Sequence, residues 1–97
     1  MREIEFAELG GDPAARDDGV HLAGRCYQGP ILVGDVFVEA VTADGKQEIA
    51  LRLDQVLLYG RPSDELDPGL TAEITLSGEG LQHVKAGVLL RGQVPDS

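Results

Sequence analysis

The chain has 97 residues, of which 42% are hydrophobic, and 17 acidic against 8 basic residues give a formal net charge of −9. This composition is that of one small folded domain, and the excess of acid argues against binding to nucleic acid or to an anionic membrane surface. Cys26 is the single cysteine, which excludes an internal disulfide. No signal peptide and no apolar run of roughly 20 residues is present, so we expect a cytoplasmic protein.

The first part of the chain predicts two strands, because its apolar residues alternate with polar ones. The first strand is centred on Ile4 to Phe6, and the turn-forming residues from Gly10 to Gly19 predict an exposed loop. A second strand is expected over 20–27. The residues of its predicted inner face are Val20, Leu22, Gly24 and Cys26.

The middle of the chain predicts a β-hairpin. In a third strand, Val36 and Val38 are expected to face the interior, opposite Phe37 and Val41. The Asp44–Gly45 pair that follows is a strong hairpin signal between two apolar-periodic runs. The partner strand is predicted to place Ile49, Leu51 and Leu53 on one face.

The remainder of the chain predicts further strands separated by polar or glycine-rich turns. An apolar run covers 56–59, a polar loop 61–69, and a long strand follows with alternate residues facing inward from Leu70 to Leu76. A final strand is expected at 88–90, and 94–97 are expected to be a frayed tail.

Short strands at regular spacing with glycine-rich turns are typical of barrels and sandwiches. We therefore predict an all-β fold, a small closed antiparallel Greek-key barrel of six to seven strands that occupies residues 1–97 as one domain.

Three phrases of the sequence carry a family resemblance. They are GRCYQGPILVGD at 24–35, GLTAEITLSG at 69–78 and VKAGVLL at 84–90. In order and spacing they resemble the second domain of elongation factor Tu-type translational GTPases. The resemblance implies a translation-protein β-barrel, here as a stand-alone domain. Because the chain has no P-loop sequence, the nucleotide chemistry of those GTPases is not expected.

No catalytic, cofactor-binding or metal-binding constellation can be assigned from the sequence. The soft metal ligands are His21, His83 and Cys26, and five positions separate His21 from Cys26, which places them on opposite faces of an ideal strand. The acidic stretches at 17–18 and 64–67 lack the ligand spacing of a calcium loop. We therefore expect neither cofactor nor metal, and Cys26 is expected to be a small core residue.

An apolar outer face is the remaining candidate site. Four residues fall opposite predicted core positions and form a possible interface: Phe37, Val41, Leu57 and Tyr59. The alternative is that loops or the curvature of the barrel cover them. This face predicts a non-enzymatic interaction module that binds a protein partner or forms a homo-oligomer. The resemblance implies the other hypothesis, a translation-associated or RNA-contacting accessory protein, and an enzyme would need a deep polar pocket with convergent titratable groups.

Overall fold

The computed structural model describes residues 1–9, 11, 13–16 and 19–95. The predicted loop at 10–19 and tail at 94–97 therefore lie partly outside the described residues, and the acidic pair at 17–18 lies wholly outside them. Besides one turn of 3-10 helix at Leu81–His83, the regular secondary structure of the described residues consists of strands, which turns and irregular segments connect. The strands are β1 Arg2–Glu8, β2 Ala14–Arg16, β3 Gly19–Gln28, β4 Ile31–Leu32, β5 Val36–Thr42, β6 Gly45–Leu58, β7 Arg61–Ser63, β8 Glu65–Leu66, β9 Thr71–Glu79 and β10 Leu89–Val94.

Six of these strands close into an antiparallel barrel. Each is hydrogen-bonded to the next in the order β1, β10, β5, β6, β9 and β3, and β3 pairs with β1 to complete the circle. In this order β10 returns to lie beside β5, the first strand of the β5–β6–β9 meander, which is a Greek-key arrangement. The structure thus confirms the predicted all-β Greek-key barrel, with six strands in its wall.

The core is built from the inward faces of these strands. The alternation predicted for β3 is confirmed, since Val20, Leu22 and Cys26 are buried and Ala23 and Arg25 between them are exposed. The inward positions predicted for β6 and β9 are likewise buried, apart from the half-buried Leu70 just before β9. The largest fully buried side chains are Phe6, Phe37, Ile4, Ile31, Leu51, Leu53, Leu66, Ile74, Leu76, Leu90, Val56 and Val88.

The prediction for β5 was wrong, because its face is reversed. Phe37 is fully buried, whereas Val36 and Val38 are exposed. The pairing of β5 with β6 shifts register between Phe37 and Glu39, and this irregularity lets Phe37 and Ala40, three residues apart, both point into the core. Phe37 is therefore a core residue and cannot line an exposed interface.

Three segments predicted as loop or tail contain strands. Within the predicted loop at 10–19, β2 pairs with β3, and within the predicted loop at 61–69, β7 and β8 pair with β6 and β4. Val94 belongs to β10 and pairs with Arg2, so this residue is not part of a frayed tail. Short pairings of this kind contain too few residues to show a periodic pattern in the sequence.

Gly24 lets two strands of the barrel approach closely. A Cβ atom at this position would meet the carbonyl oxygen of Ala7 and two ring atoms of Phe6 at 2.5 and 2.7 Å. No side chain can be accommodated without moving β1 or the core phenylalanine. The first glycine of the phrase at 24–35 thus has a structural role where β3 pairs with β1.

Glu8 holds two turns at one end of the barrel. Its side chain is almost fully buried, and its two oxygens accept hydrogen bonds from the backbone N–H groups of Gly11 and Gly87, each at 2.7 Å. These charge-assisted bonds compensate for the burial of the carboxylate. Glu8 therefore serves the fold rather than a ligand.

Candidate functional site

A groove of about 450 Å³ lies on the outer face of the barrel along β10, and we refer to it as the β10 groove. Its volume is within the range of small-ligand sites in proteins. Strands β1, β5 and β10 and the end of β3 supply its residues. They are Glu3, Ile4, Glu5, Gln28, Val38, Glu39, Arg91, Gly92 and Gln93.

Strand pairing places Arg91 at the centre of this groove. In the sheet Arg91 lies opposite Glu5 of β1 on one side and Glu39 of β5 on the other. Its Nε is 3.3 Å from an oxygen of Glu5, and its Nη1 is 3.5 Å from an oxygen of Glu39. Opposite charges at directly paired positions stabilise neighbouring strands modestly. One guanidinium thus bridges two strands that are not themselves adjacent.

The charge of the β10 groove is not balanced by Arg91. Three carboxylates, those of Glu3, Glu5 and Glu39, face one guanidinium, which leaves a formal charge of −2. Both contacts of Arg91 are longer than the 2.7–2.9 Å typical of charge-assisted hydrogen bonds, and its buried Nε has no hydrogen-bond partner among the described residues. Within the described part of the chain, Glu3 makes no ion pair.

The groove has an apolar rim formed by Val36 and Val38 of β5. These side chains are 38% and 49% exposed, and Val38 lines the groove directly. The carbonyl oxygen of Val36 lies within 2.6 Å of the position a Cβ would take on Gly92, which also lines the groove. Exposed aliphatic side chains thus lie beside a charged cleft on this face of the barrel.

The structure does not bring the four predicted interface residues together. Phe37 is buried, and Val41 and Leu57 are half-buried. Val41 pairs with Lys46 at the hairpin end of β6, whereas Leu57 pairs with Glu73 near the opposite end of that 14-residue strand. Tyr59, which is 87% exposed, lies in the turn between β6 and β7.

Sequence reasoning missed the residues of the β10 groove. In the sequence, Glu3 and Glu5 alternate with the apolar Ile4 and Phe6, and nothing there pairs Arg91 with them. The alternation of acidic residues in β1 was the available signal. It could not reveal which distant strand would lie beside them.

Among the described residues, His21 makes a contact set that resembles a catalytic arrangement. Its Nδ1 is 3.3 Å from the hydroxyl oxygen of Thr75, and its Nε2 is 3.5 Å from a carboxylate oxygen of Glu73. A hydroxyl, an imidazole and a carboxylate are the groups of a nucleophilic triad. These residues lie on the outer surface of β3 and β9, however, and none of them lines the β10 groove. The contacts are therefore assigned to cross-strand packing.

Cys26 is fully buried, as predicted, and its environment suppresses its reactivity. Burial, and secondarily the negative charge of Asp67, raises the pKa of the thiol from 9.0 to about 11. Among the described residues, no group of three or more His, Cys, Asp or Glu side chains is placed to hold a metal ion. The same part of the chain contains no helix that could span a membrane.

No protein-family model and no curated protein matches the sequence. Among solved structures, the chain is similar to translation elongation factor SelB from Methanococcus maripaludis in its apo form, with a TM-score of 0.73 and 13% sequence identity. The match covers 96% of this chain and 20% of the SelB chain, so the barrel spans about a fifth of that factor. The structural likeness confirms the predicted fold, a closed β-barrel similar to one found in a translation elongation factor.

Proposed function

We propose that this chain is a non-enzymatic interaction module that binds a partner protein through the β10 groove and its valine rim. The observation that carries the proposal is the juxtaposition of a groove of about 450 Å³ with the exposed side chains of Val36 and Val38. Protein interfaces combine an apolar centre with a polar rim, and this face offers both. The net charge of −9 would steer a basic partner toward it.

The residue types in the groove support binding over catalysis. The described lining contains no Ser, Thr, Cys, His, Lys or Tyr, so it offers no hydroxyl, thiol or amine nucleophile and no imidazole base. Two of its three carboxylates are held against Arg91. The arrangement is suited to recognising a charged group rather than to transferring one.

A second candidate function, association with the translation apparatus, is favoured by the structural likeness to SelB. The charge of this chain opposes contact with an RNA backbone, because affinity for phosphates depends on lysine and arginine. In this version of the function the barrel would contact a protein component of that apparatus.

Affinity capture from a lysate of the native host, with and without nuclease, tests both candidates. We expect a nuclease-resistant partner that the wild type retains and that Val38→Asp loses. Tyr59→Asp is the matched control, since it places the same charge on another exposed apolar residue. If the partner is a ribosomal protein or a translation factor, the result supports the translation-associated function, and loss of that partner on nuclease treatment would show that RNA mediates the contact. Recovery of the bait alone, together with a monomeric mass in sedimentation equilibrium, would overturn the proposal of an interaction module.

A further inference from the structure

We infer that the β10 groove accepts an arginine side chain from a basic segment of the partner protein. This inference rests on the proposed function and specifies the chemistry that the groove recognises. The groove has a formal charge of −2, and its neutral lining groups include the side-chain amides of Gln28 and Gln93. The ligand that complements this lining is a cation with several hydrogen-bond donors.

Glu3 is the anchor for that cation. It is exposed, it lies opposite Gln93 in the pairing of β1 with β10, and it makes no ion pair among the described residues. Its carboxylate can therefore accept a new partner without breaking an existing bond. The amide oxygen of Gln93 on the neighbouring strand supplies a second acceptor at the same level of the sheet.

Arginine fits this set of acceptors better than lysine. A guanidinium presents five N–H donors in a planar fork, so it can bond a carboxylate and adjacent amide oxygens together, whereas an ammonium acts as a compact point charge. The aliphatic part of an arginine side chain, or an apolar neighbour in the partner, can cover Val38 on the groove wall. Arg91 repels a second cation at the centre of the groove, which favours binding at the Glu3 end.

The inference is tested by NMR titration of the ¹⁵N-labelled protein with N-acetyl-L-arginine N-methylamide. The citrulline analogue is the neutral control of nearly identical shape. We expect a saturable shift of the amide signals of groove residues by the arginine compound, with a dissociation constant on the order of millimolar. We expect no such shift with citrulline. Equal shifts with both compounds, or shifts spread over the whole acidic surface, would overturn the inference.

Variants locate the binding site. Glu3→Gln should weaken binding of the arginine compound at least threefold, roughly the loss of one exposed ion pair. Glu79→Gln, a neutralised exposed carboxylate at the end of β9, should bind like the wild type. If both variants weaken binding equally, general charge attraction accounts for it and the groove is not the site.

The capture experiment separates this inference from the proposed function. A partner lost with Val38→Asp but retained by Glu3→Gln would keep the interaction module and refute the arginine site. A partner lost with both variants would support the two proposals together. If the arginine compound binds but no partner is captured, the result supports the arginine site and contradicts the protein-interaction function.

Discussion

Arg2 and Asp35 form a two-bond ion pair that joins the first barrel strand to the turn before β5. Nη1 of Arg2 donates to Oδ2 of Asp35 at 2.6 Å, and Nη2 donates to Oδ1 at 3.1 Å. Nη1 also donates to the carbonyl of Pro30 at 2.6 Å, and Oδ2 accepts the backbone N–H of Leu32 at 2.8 Å. Asp35 is thus the centre of a buried polar cluster, which explains the aspartate that ends the phrase at 24–35.

We predict that Asp35→Asn lowers the free energy of unfolding by about 1 to 3 kcal/mol. An asparagine has one acceptor oxygen where the aspartate has two, so its NH₂ group must face a donor of Arg2 or of Leu32. Because this position is only 7% exposed, water cannot fully replace the lost hydrogen bond. Urea unfolding followed by circular dichroism measures the change.

Asp54→Asn is the control for this prediction, since Asp54 is exposed on β6. Its free energy of unfolding should stay within about 0.5 kcal/mol of the wild type. An equal effect of both substitutions would show that net charge, not the ion pair with Arg2, determines the stability.

Local sequence patterns predicted the inward faces of β3, β6 and β9 because polar and apolar residues alternate clearly there. In β5, by contrast, Phe37 lies between two valines, and an almost continuous apolar run does not show which face is inside. The register shift beside Phe37 then reverses the expected face. A bulge depends on the pairing of two strands, and a single strand carries no pattern for it.

The β10 groove could not be predicted from the sequence for a related reason. Its central contacts join Glu5 to Arg91 and Arg91 to Glu39, residues separated by 86 and 52 positions. Only the closure of the barrel, which places β10 between β1 and β5, brings these side chains together. The sequence predicts the acidic face of β1, but it does not predict that β10 lies beside this strand.

Gly24→Ala should be among the most destabilising single-methyl additions in this chain. The added carbon would meet the carbonyl oxygen of Ala7 and the ring of Phe6, and neither can move without disturbing the core. We expect a loss of about 3 kcal/mol in the free energy of unfolding. Ala23→Ser at the exposed neighbouring position should change it little. Wild-type stability of Gly24→Ala in a thermal melt would contradict the close approach of β1 and β3.

The buried thiol of Cys26 should resist alkylation in the folded protein. Because its pKa is raised to about 11, the thiolate population near pH 8 is roughly 100-fold below that of an unperturbed thiol. We expect reaction with iodoacetamide to be at least that much slower in buffer than in urea. Mass spectrometry of timed samples measures both rates, and comparable rates would show that the core opens readily.

The same pKa shift makes the stability depend on alkaline pH. A thiol with a raised pKa in the folded state contributes stability that is fully present below pH 9 and is lost as pH rises through 11. Cys26→Ala should unfold more easily at neutral pH, because it leaves a small cavity, but it should lack this thiol-dependent decline. Urea titrations between pH 7 and pH 11 measure how the free energy of unfolding changes with pH in the wild type and in Cys26→Ala. The same pH dependence in both proteins would show that other groups cause the decline.

Tyr59→Asn should stabilise the protein by about 0.5 to 1 kcal/mol. Tyr59 and Gly60 form the two-residue turn between β6 and β7 with φ angles of 54° and 78°, a conformation that asparagine and glycine adopt readily and a tyrosine does not. The tyrosine is 87% exposed, so its removal sacrifices little packing. Urea unfolding measures the change in stability. The comparison variant is Tyr27→Asn on β3, for which we expect a lower free energy of unfolding, because asparagine is unfavourable in a strand. A less stable Tyr59→Asn variant would mean that contacts of the ring outweigh the strain of the turn.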